Sequence, residues 1–339
     1  MKKLQNNLYI TRQDSYLHKE RETLVIEHQR KKLLQVPAHS ISGICCFGRV
    51  MVSPPLMGFC GEQGINLAFF NEYGRFQGRL QGRQSGSVLL RRSQYRQSEQ
   101  TPLEVARLII AAKISNSRSV LQRHNRNNGR NEAIAQVIKG LKFRIEQARV
   151  ASDLDSLRGI EGDAASLYFG IFGQLIKPEL RDDFPFNGRN RRPPLDNVNA
   201  LLSFVYSIIG QDISGALQGV GLDPQVGFLH RDRPGRDSLA LDLLEELRSW
   251  FADRLVLSLI NRRQLNARDF VTEASGAVRL TDDGRRTLLT ALQKRKQETV
   301  THPFLEEEVE IGLLAHCQAL LLARHLRGDL EYYPPFVAR

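Results

Sequence analysis

Separate stretches of the chain carry side chains that could act on one substrate together: Glu161 between Gly159 and Gly162, His230 at the end of a glycine-containing loop, and the acidic run Asp242, Glu245 and Glu246. One imidazole with two or more carboxylates from different elements is the mixed nitrogen and oxygen donor set that suits Mn²⁺ or Mg²⁺. Zinc is less favoured, because neither a thiol nor a second histidine accompanies the set. Glu245 and Glu246 follow Asp242 by three and four positions. At about 100° per residue both fall within roughly 60° of it on one edge of a helix, while Leu243, Leu247 and Trp250 form the apolar stripe. The same residues also read as a solvated acidic face beside a core histidine, and Glu161 as a carboxylate favoured at a helix N-terminus. The two glycines beside Glu161 each cost about 1 kcal/mol against alanine in a helix, which points to a close backbone approach there.

Charge is the second chemistry on offer. Lys and Arg number 48 against 37 Asp and Glu, giving a net charge of +11 and a pI near 9.7. Such a surface gathers anions, and nucleic acid is the leading partner. Arg189, Arg191 and Arg192 lead into Pro193 and Pro194 as a stiff, extended strap suited to phosphate, with Asp196 placed to cap the following helix. Arg231, Arg233 and Arg236 add to this charge, and a solvated loop is the alternative reading. No apolar run approaches the 18 residues that a bilayer-spanning helix needs, and Gln5, Asn6 and Asn7 stand where a signal peptide requires an apolar core. The expectation is a cytoplasmic protein with no membrane partner. Cys45, Cys46, Cys60 and Cys317 lack CxxC or zinc-site spacing and read as small buried apolar residues. Packing or exposure explains the histidines other than His230.

The elements that must hold these groups divide the chain as an α+β protein. A small β-rich N-terminal domain over 1–82 contains strands at Leu8–Thr11, Thr23–Glu27, Ile41–Phe47 and Leu67–Phe70, with a short helix within 52–64. We expect its strands to pair antiparallel. A polar, basic linker over 83–100 follows, and then a larger, mostly α-helical domain over 101–339. Thr101, Pro102 and Glu104 open its first helix. Helices are predicted from Pro102 to about Arg123, then over 131–150, 157–175, 197–217, 238–260, 282–296 and 304–326, with a hairpin at Phe270–Leu280.

Taken in order, these stretches resemble the CRISPR-associated integrase family that captures new spacers (Cas one). The resemblance rests on Arg158-Gly159-Ile160-Glu161-Gly162; on Arg191-Arg192-Pro193-Pro194-Leu195-Asp196 with Asn199 to Ser203; on Gly221-Leu222-Asp223-Pro224 through Gly227-Phe228-Leu229-His230; and on Ser238 through Glu245. Arg233-Pro234-Gly235-Arg236 is similar to the branch attached to type I, subtype C systems. The resemblance implies a metal-dependent DNA endonuclease and integrase that joins the 3′-hydroxyls of captured double-stranded fragments to CRISPR repeat DNA. It implies Glu161, His230 and Glu245 as ligands of Mn²⁺ or Mg²⁺ and Asp242 as a further catalytic acid. Which of Asp242 and Glu245 is the direct third ligand stays open. Arg158 joins Arg189, Arg191, Arg192, Arg231, Arg233 and Arg236 as expected DNA contacts. A homodimer through the β-rich domain, bridged by the small companion Cas two protein, completes the implication. A stand-alone repair nuclease would use the same residues, and a non-catalytic DNA-binding scaffold would leave the acidic edge solvated.

Overall fold

Alternation of side chains along strands decides how the N-terminal region is built. The structure is a computed structural model that describes residues 6–80, 82 and 88–338. Its first elements are β1 (Asn6–Ile10), β2 (Ser15–Glu20), β3 (Thr23–His28), β4 (Lys31–Pro37), β5 (Ile41–Phe47), β6 (Val50–Val52), α1 (Pro54–Gln63), β7 (Asn66–Phe70) and β8 (Phe76–Arg79). They form two four-stranded sheets, ordered β1-β5-β7-β8 and β4-β3-β2-β6. The pairing is mixed, not the antiparallel pairing expected, since β1-β5, β5-β7 and β2-β6 run parallel. Parallel neighbours need a crossover, and α1 supplies it between β6 and β7. Ser53 starts that helix by accepting from the Leu56 N–H at 3.3 Å, with prolines at its first positions. Ile44 and Cys46 on one face of β5 pack into the small core with Leu17, Leu24, Leu56 and Leu67. Cys45 and Phe47 on the other face join the large helical core.

The helical region comprises α2 (Val88–Gln100), α3 (Pro102–Asn127), α4 (Glu132–Val150), α5 (Leu154–Phe172), α6 (Asn197–Gly219), α7 (Ser238–Leu247), α8 (Arg254–Asn261), α9 (Asp282–Gln297) and α10 (Leu314–Leu326). Two hairpins interrupt it: β9 (Phe270–Thr272) with β10 (Val278–Leu280), and β11 (Thr299–Thr301) with β12 (Glu308–Glu310). Much of the segment expected as a linker is helix. Gln94 of α2 donates to the carbonyls of Asp223 and Val226 at 2.8 and 2.9 Å, and Tyr95 to the Asp223 carboxylate at 2.9 Å. These bonds fix α2 to the loop that leads to His230, a contact distant in sequence; positions 83–87 lie outside the described residues. The helix expected over 304–326 begins only at Leu314, because the chain ahead of it pairs in the second hairpin.

α6 corrects the reading that no apolar run nears membrane-spanning length. Its 23 residues are long and apolar enough by composition, but 56% of its apolar window is buried inside the fold, as befits a core helix. Asp196 caps it as expected, accepting from the Asn199 N–H at 2.7 Å. The stretch read as one helix over 238–260 is α7 and α8 joined by a π-helical segment, Arg248–Asp253. Such wide turns often occur at functional sites, and this one carries residues into two cavities.

Candidate active site

Glu161 lies well inside α5, which Asp153 caps by accepting from the Ser156 N–H at 2.8 Å. It is therefore not an N-terminal carboxylate. A Cβ at Gly159 or Gly162 would meet nothing within 4 Å, so no part of the chain requires these glycines, and that side of the helix is open. The reading of a solvated acidic edge also fails. Asp242, Glu245 and Glu246 are 0%, 3% and 0% exposed. A buried carboxylate survives only with partners, and each of the three has a different set.

Asp242 holds the loop. Its Oδ2 accepts the backbone N–H groups of Phe228 and Leu229 at 2.6 and 3.0 Å, and its Oδ1 that of His230 at 3.0 Å. The same Oδ1 stands 2.6 Å from His230 Nδ1. The other ring nitrogen, Nε2, lies 3.8 Å from Glu245 Oε1, so the imidazole is held between the two carboxylates with one nitrogen toward each. Gly227 is required for this packing, because a Cβ there would sit 2.8 Å from Asp242 Oδ2. Arg158 also braces the loop, donating to the Leu229 carbonyl at 2.6 and 3.1 Å and to Asp155 at 2.7 Å.

Glu245 faces Glu161 across Lys113 of α3. The lysine ammonium contacts Glu161 Oε1 and lies 2.7 Å from Glu245 Oε2. That Oε2 is buried and, despite the ion-pair contact, has no hydrogen bond of good geometry. Arg248, one turn on, lies 2.9 Å from Glu245 Oε1. Burial pushes the Glu245 carboxyl up, but Arg248, Lys113 and His230 outweigh it and bring its pKa to about 2. Among the described residues no three His, Cys, Asp or Glu groups stand in ready metal-binding geometry, for an ammonium holds the space between the two glutamates. The donor set nonetheless fits a hard divalent ion: two carboxylates already gathered around one cation, and an imidazole nitrogen whose partner nitrogen is engaged.

Several participants were missed in the sequence. Lys113 interrupts the apolar run Leu108–Ile114, and a lone lysine in such a run was the available signal. Arg248 follows Glu245 at helical spacing. Farther into the cleft, Tyr168 donates to Asp253 at 3.0 Å and Tyr206 donates to the other oxygen of that carboxylate. The guanidinium groups of Arg189 and Arg248 lie over the Tyr206 ring at 5.3 and 5.1 Å. Burial raises the Asp253 pKa to about 6, against the lowering pull of Tyr206, Tyr168, Arg189 and Arg248.

The basic residues separate into two groups. Arg189 is turned inward, bonded to the Asn190 carbonyl at 2.7 Å, to Asn199 and to Ser203. Arg158 is committed to the His230 loop, and Arg231 pairs with Asp155 at 2.9 Å. Arg191, Arg192 and Arg233 are exposed, and Arg191 lines the cleft. Partial burial and the nearness of Arg233, Arg192 and Arg248 lower the pKa of Arg236, so strap and loop converge on one positive rim.

Glu246 points away from this cleft and fastens the C-terminal segment. It accepts from Tyr333 OH, Gln318 Nε2 and the Phe336 N–H at 2.7, 2.8 and 2.7 Å. Burial raises its pKa from 4.5 to about 7 in spite of these bonds. A folded-state pKa above the unfolded one means that the native state binds the extra proton, so stability is greatest below pH 4.5 for this group and is lost as pH rises through about 7. At ~1.4 kcal/mol per pH unit the loss is about 3 kcal/mol. Urea unfolding at a series of pH values should show stability falling between pH 5 and 8, with a smaller fall in Glu246→Gln; an equal fall in both proteins would remove Glu246 as the source.

Structural likeness defines the class of this fold. A Cas1 protein from Thermotoga maritima superposes with a TM-score of 0.81 at 25% identity, over 95% of this chain and 97% of that one. A casposase bound to an integration product gives 0.82 at 22% identity over 96% and 92%, and a Cas6-RT-Cas1–Cas2 complex gives 0.81 at 21% over 98% and 36%; both are likenesses of fold alone. In sequence, the profile of the family described as CRISPR associated protein Cas1 matches residues 8–294. Proteins named CRISPR-associated endonuclease Cas1 are similar over the whole length: one from Chlorobaculum tepidum is 49% identical over 100% of both chains, and one from Rhodospirillum rubrum 50% over 99% of each. The chain belongs to the Cas1 family.

Proposed function

We propose that this chain is a metal-dependent DNA endonuclease and integrase of CRISPR adaptation, which joins the 3′-hydroxyl ends of captured DNA fragments to CRISPR repeat DNA. One observation carries the reading: two carboxylates from separate helices, Glu161 and Glu245, gather around a single cation beside an imidazole oriented by a buried aspartate. Relatives named endonucleases at about half identity over the full length support it. So does the likeness of fold to a casposase bound to an integration product.

Glu161, His230 Nε2 and Glu245 would hold the ion, Mn²⁺ or Mg²⁺. When bound, it supplies Lewis-acid polarisation of a phosphoryl oxygen and neutralises charge in the transition state. Glu245, whose pKa lies near 2, stays ionised and available as a ligand throughout the working pH range. Asp242, with both oxygens engaged, positions His230 and does not bind the ion itself. Arg191, Arg192, Arg233 and Arg236 hold the DNA backbone, while Arg158 and Arg189 shape the loop and strap from within.

Joining a fragment at both ends needs two sites at a set separation, so we propose a homodimer bridged by a Cas2 protein. Leu33 and Leu34 remain exposed, at 44% and 42%, on the edge strand β4, a surface suited to pairing with a second copy. The likeness to a Cas1–Cas2 complex supports the bridge. A stand-alone repair nuclease would use the same site. A donor with a blocked 3′-hydroxyl separates the two: joining stops, whereas hydrolysis continues.

The rim makes a separate expectation. Arg191→Ala with Arg192→Ala should weaken DNA binding and reduce the slope of log K against log salt by roughly 1 to 2, as expected for the loss of two phosphate contacts. Fluorescence anisotropy across a salt series measures this, and an unchanged slope would take the strap out of the interface.

A further inference from the structure

α3 continues past the active site and borders a second cavity. Lys113 and Ser117 line the first cleft; from Ser119 onward the same helix walls a cavity of about 360 Å³ closed by Trp250, Arg254 and Ala338. Lys113 and Arg123 are ten residues apart on α3, or about 15 Å along the axis. The π-helical segment links the two places from the other side, with Arg248 and Asp253 in the first and Trp250 in the second.

Among the described residues, the charge lining this cavity is one-sided. Arg123, Arg126 and Arg254 line it, and the guanidinium groups of Arg254 and Arg295 lie over the Trp250 ring at 5.5 and 5.4 Å. Arg123 and Arg126 are exposed, and among the described residues neither has a hydrogen-bond or ion-pair partner. Glu298 is the carboxylate acting on Arg254, and it is already paired with Arg295. Burial first, and then the nearness of Arg295 and Arg123, lowers the Arg254 pKa to about 10. An ordinary solvated basic face would spread these charges apart; here they converge on a concave wall.

We propose that this cavity is a second anion site, which takes a phosphoryl group. Every cation in it is an arginine, whose planar fork matches phosphate oxygens bidentately. Trp250 is 7% exposed and covered by guanidinium groups, so it backs the arginines and offers no stacking face for a base. The site thus reads phosphate and not sequence. The phosphate comes either from a DNA strand running on from the first cleft or from a free nucleotide.

Trp250 is the only tryptophan in the chain, so its emission reports from inside this cavity. Purified protein in chelator should be titrated with inorganic pyrophosphate, with a nucleoside triphosphate and with a short oligothymidylate, following tryptophan emission and, for the labelled oligonucleotide, anisotropy. We expect a saturable response to at least one of them. Arg123→Ala with Arg126→Ala, which breaks no bond in the fold, should raise the half-saturation concentration at least tenfold. A response to the oligonucleotide alone identifies a strand site, and a response to the small polyphosphates identifies a nucleotide site; either outcome supports the proposal. It is overturned if no probe gives a saturable response by either readout, if the double variant responds like the parent, or if sodium chloride at equal ionic strength reproduces the effect. Glu161→Gln should leave the response intact, so the outcome stands apart from that of the proposed endonuclease activity.

Discussion

Glu161→Ala or His230→Ala should abolish DNA cleavage and strand joining, by at least about 10³-fold, while DNA affinity changes less than about threefold, because removing preorganised charge stabilisation costs on that scale. In the proposed function the groups concerned act at the reacting centre, whereas affinity would reside in the exposed arginines Arg191, Arg192 and Arg233. Stability should scarcely change in Glu161→Ala, since Lys113 retains Glu245 as its partner. A joining assay with a labelled 3′-hydroxyl donor in Mn²⁺, run beside anisotropy on the same duplex, measures both quantities. Joining at the parental rate by either variant would break the assignment of the site.

Asp242→Ala should fail in a different way, losing both stability and activity. The substitution strands three backbone N–H groups, those of Phe228, Leu229 and His230, and releases the imidazole from its one fixed orientation. Removing a fully buried charged partner of this kind costs about 3–5 kcal/mol. Orphaned donors that cannot reach water add to that cost. Urea unfolding should show the loss directly, and joining should fall at least about 100-fold even where the variant remains folded, because loss of such an orienting partner misaligns a ligand. A variant as stable as the parent, or one that is destabilised yet fully active, would contradict the positioning role.

These expectations show where the sequence was readable. The candidates Glu161, His230 and Glu245 stood out by residue type and by the order of motifs around them, and the structure brings Glu161 and Glu245 to one lysine, with His230 Nε2 3.8 Å from Glu245. Their surroundings were not. Periodicity marked α7 as amphipathic, but three acidic residues on one edge read equally well as a solvated face; only packing against the Phe228–His230 loop, α3 and the C-terminal segment assigned each carboxylate a different neighbour. Arg158 and Arg189 looked like surface phosphate binders because local charge density does not record which arginines turn inward. The segment over 83–100 looked like a linker because polarity alone does not tell a free stretch from one that docks, as 88–100 does in α2.

By itself, the sequence determined the strand-then-helix order, the capped start of α6, the basic balance of the chain, and which imidazole and carboxylates are proposed as ligands. Those follow from neighbour-range properties: side-chain type, spacing along a period, and turn residues. The tertiary structure alone decided that Lys113 joins Glu161 to Glu245, that Asp242 orients His230, and that Arg123, Arg126 and Arg254 line one cavity with Trp250. Each is a contact between helices far apart in the chain, and burial, not local preference, sets which charges must meet.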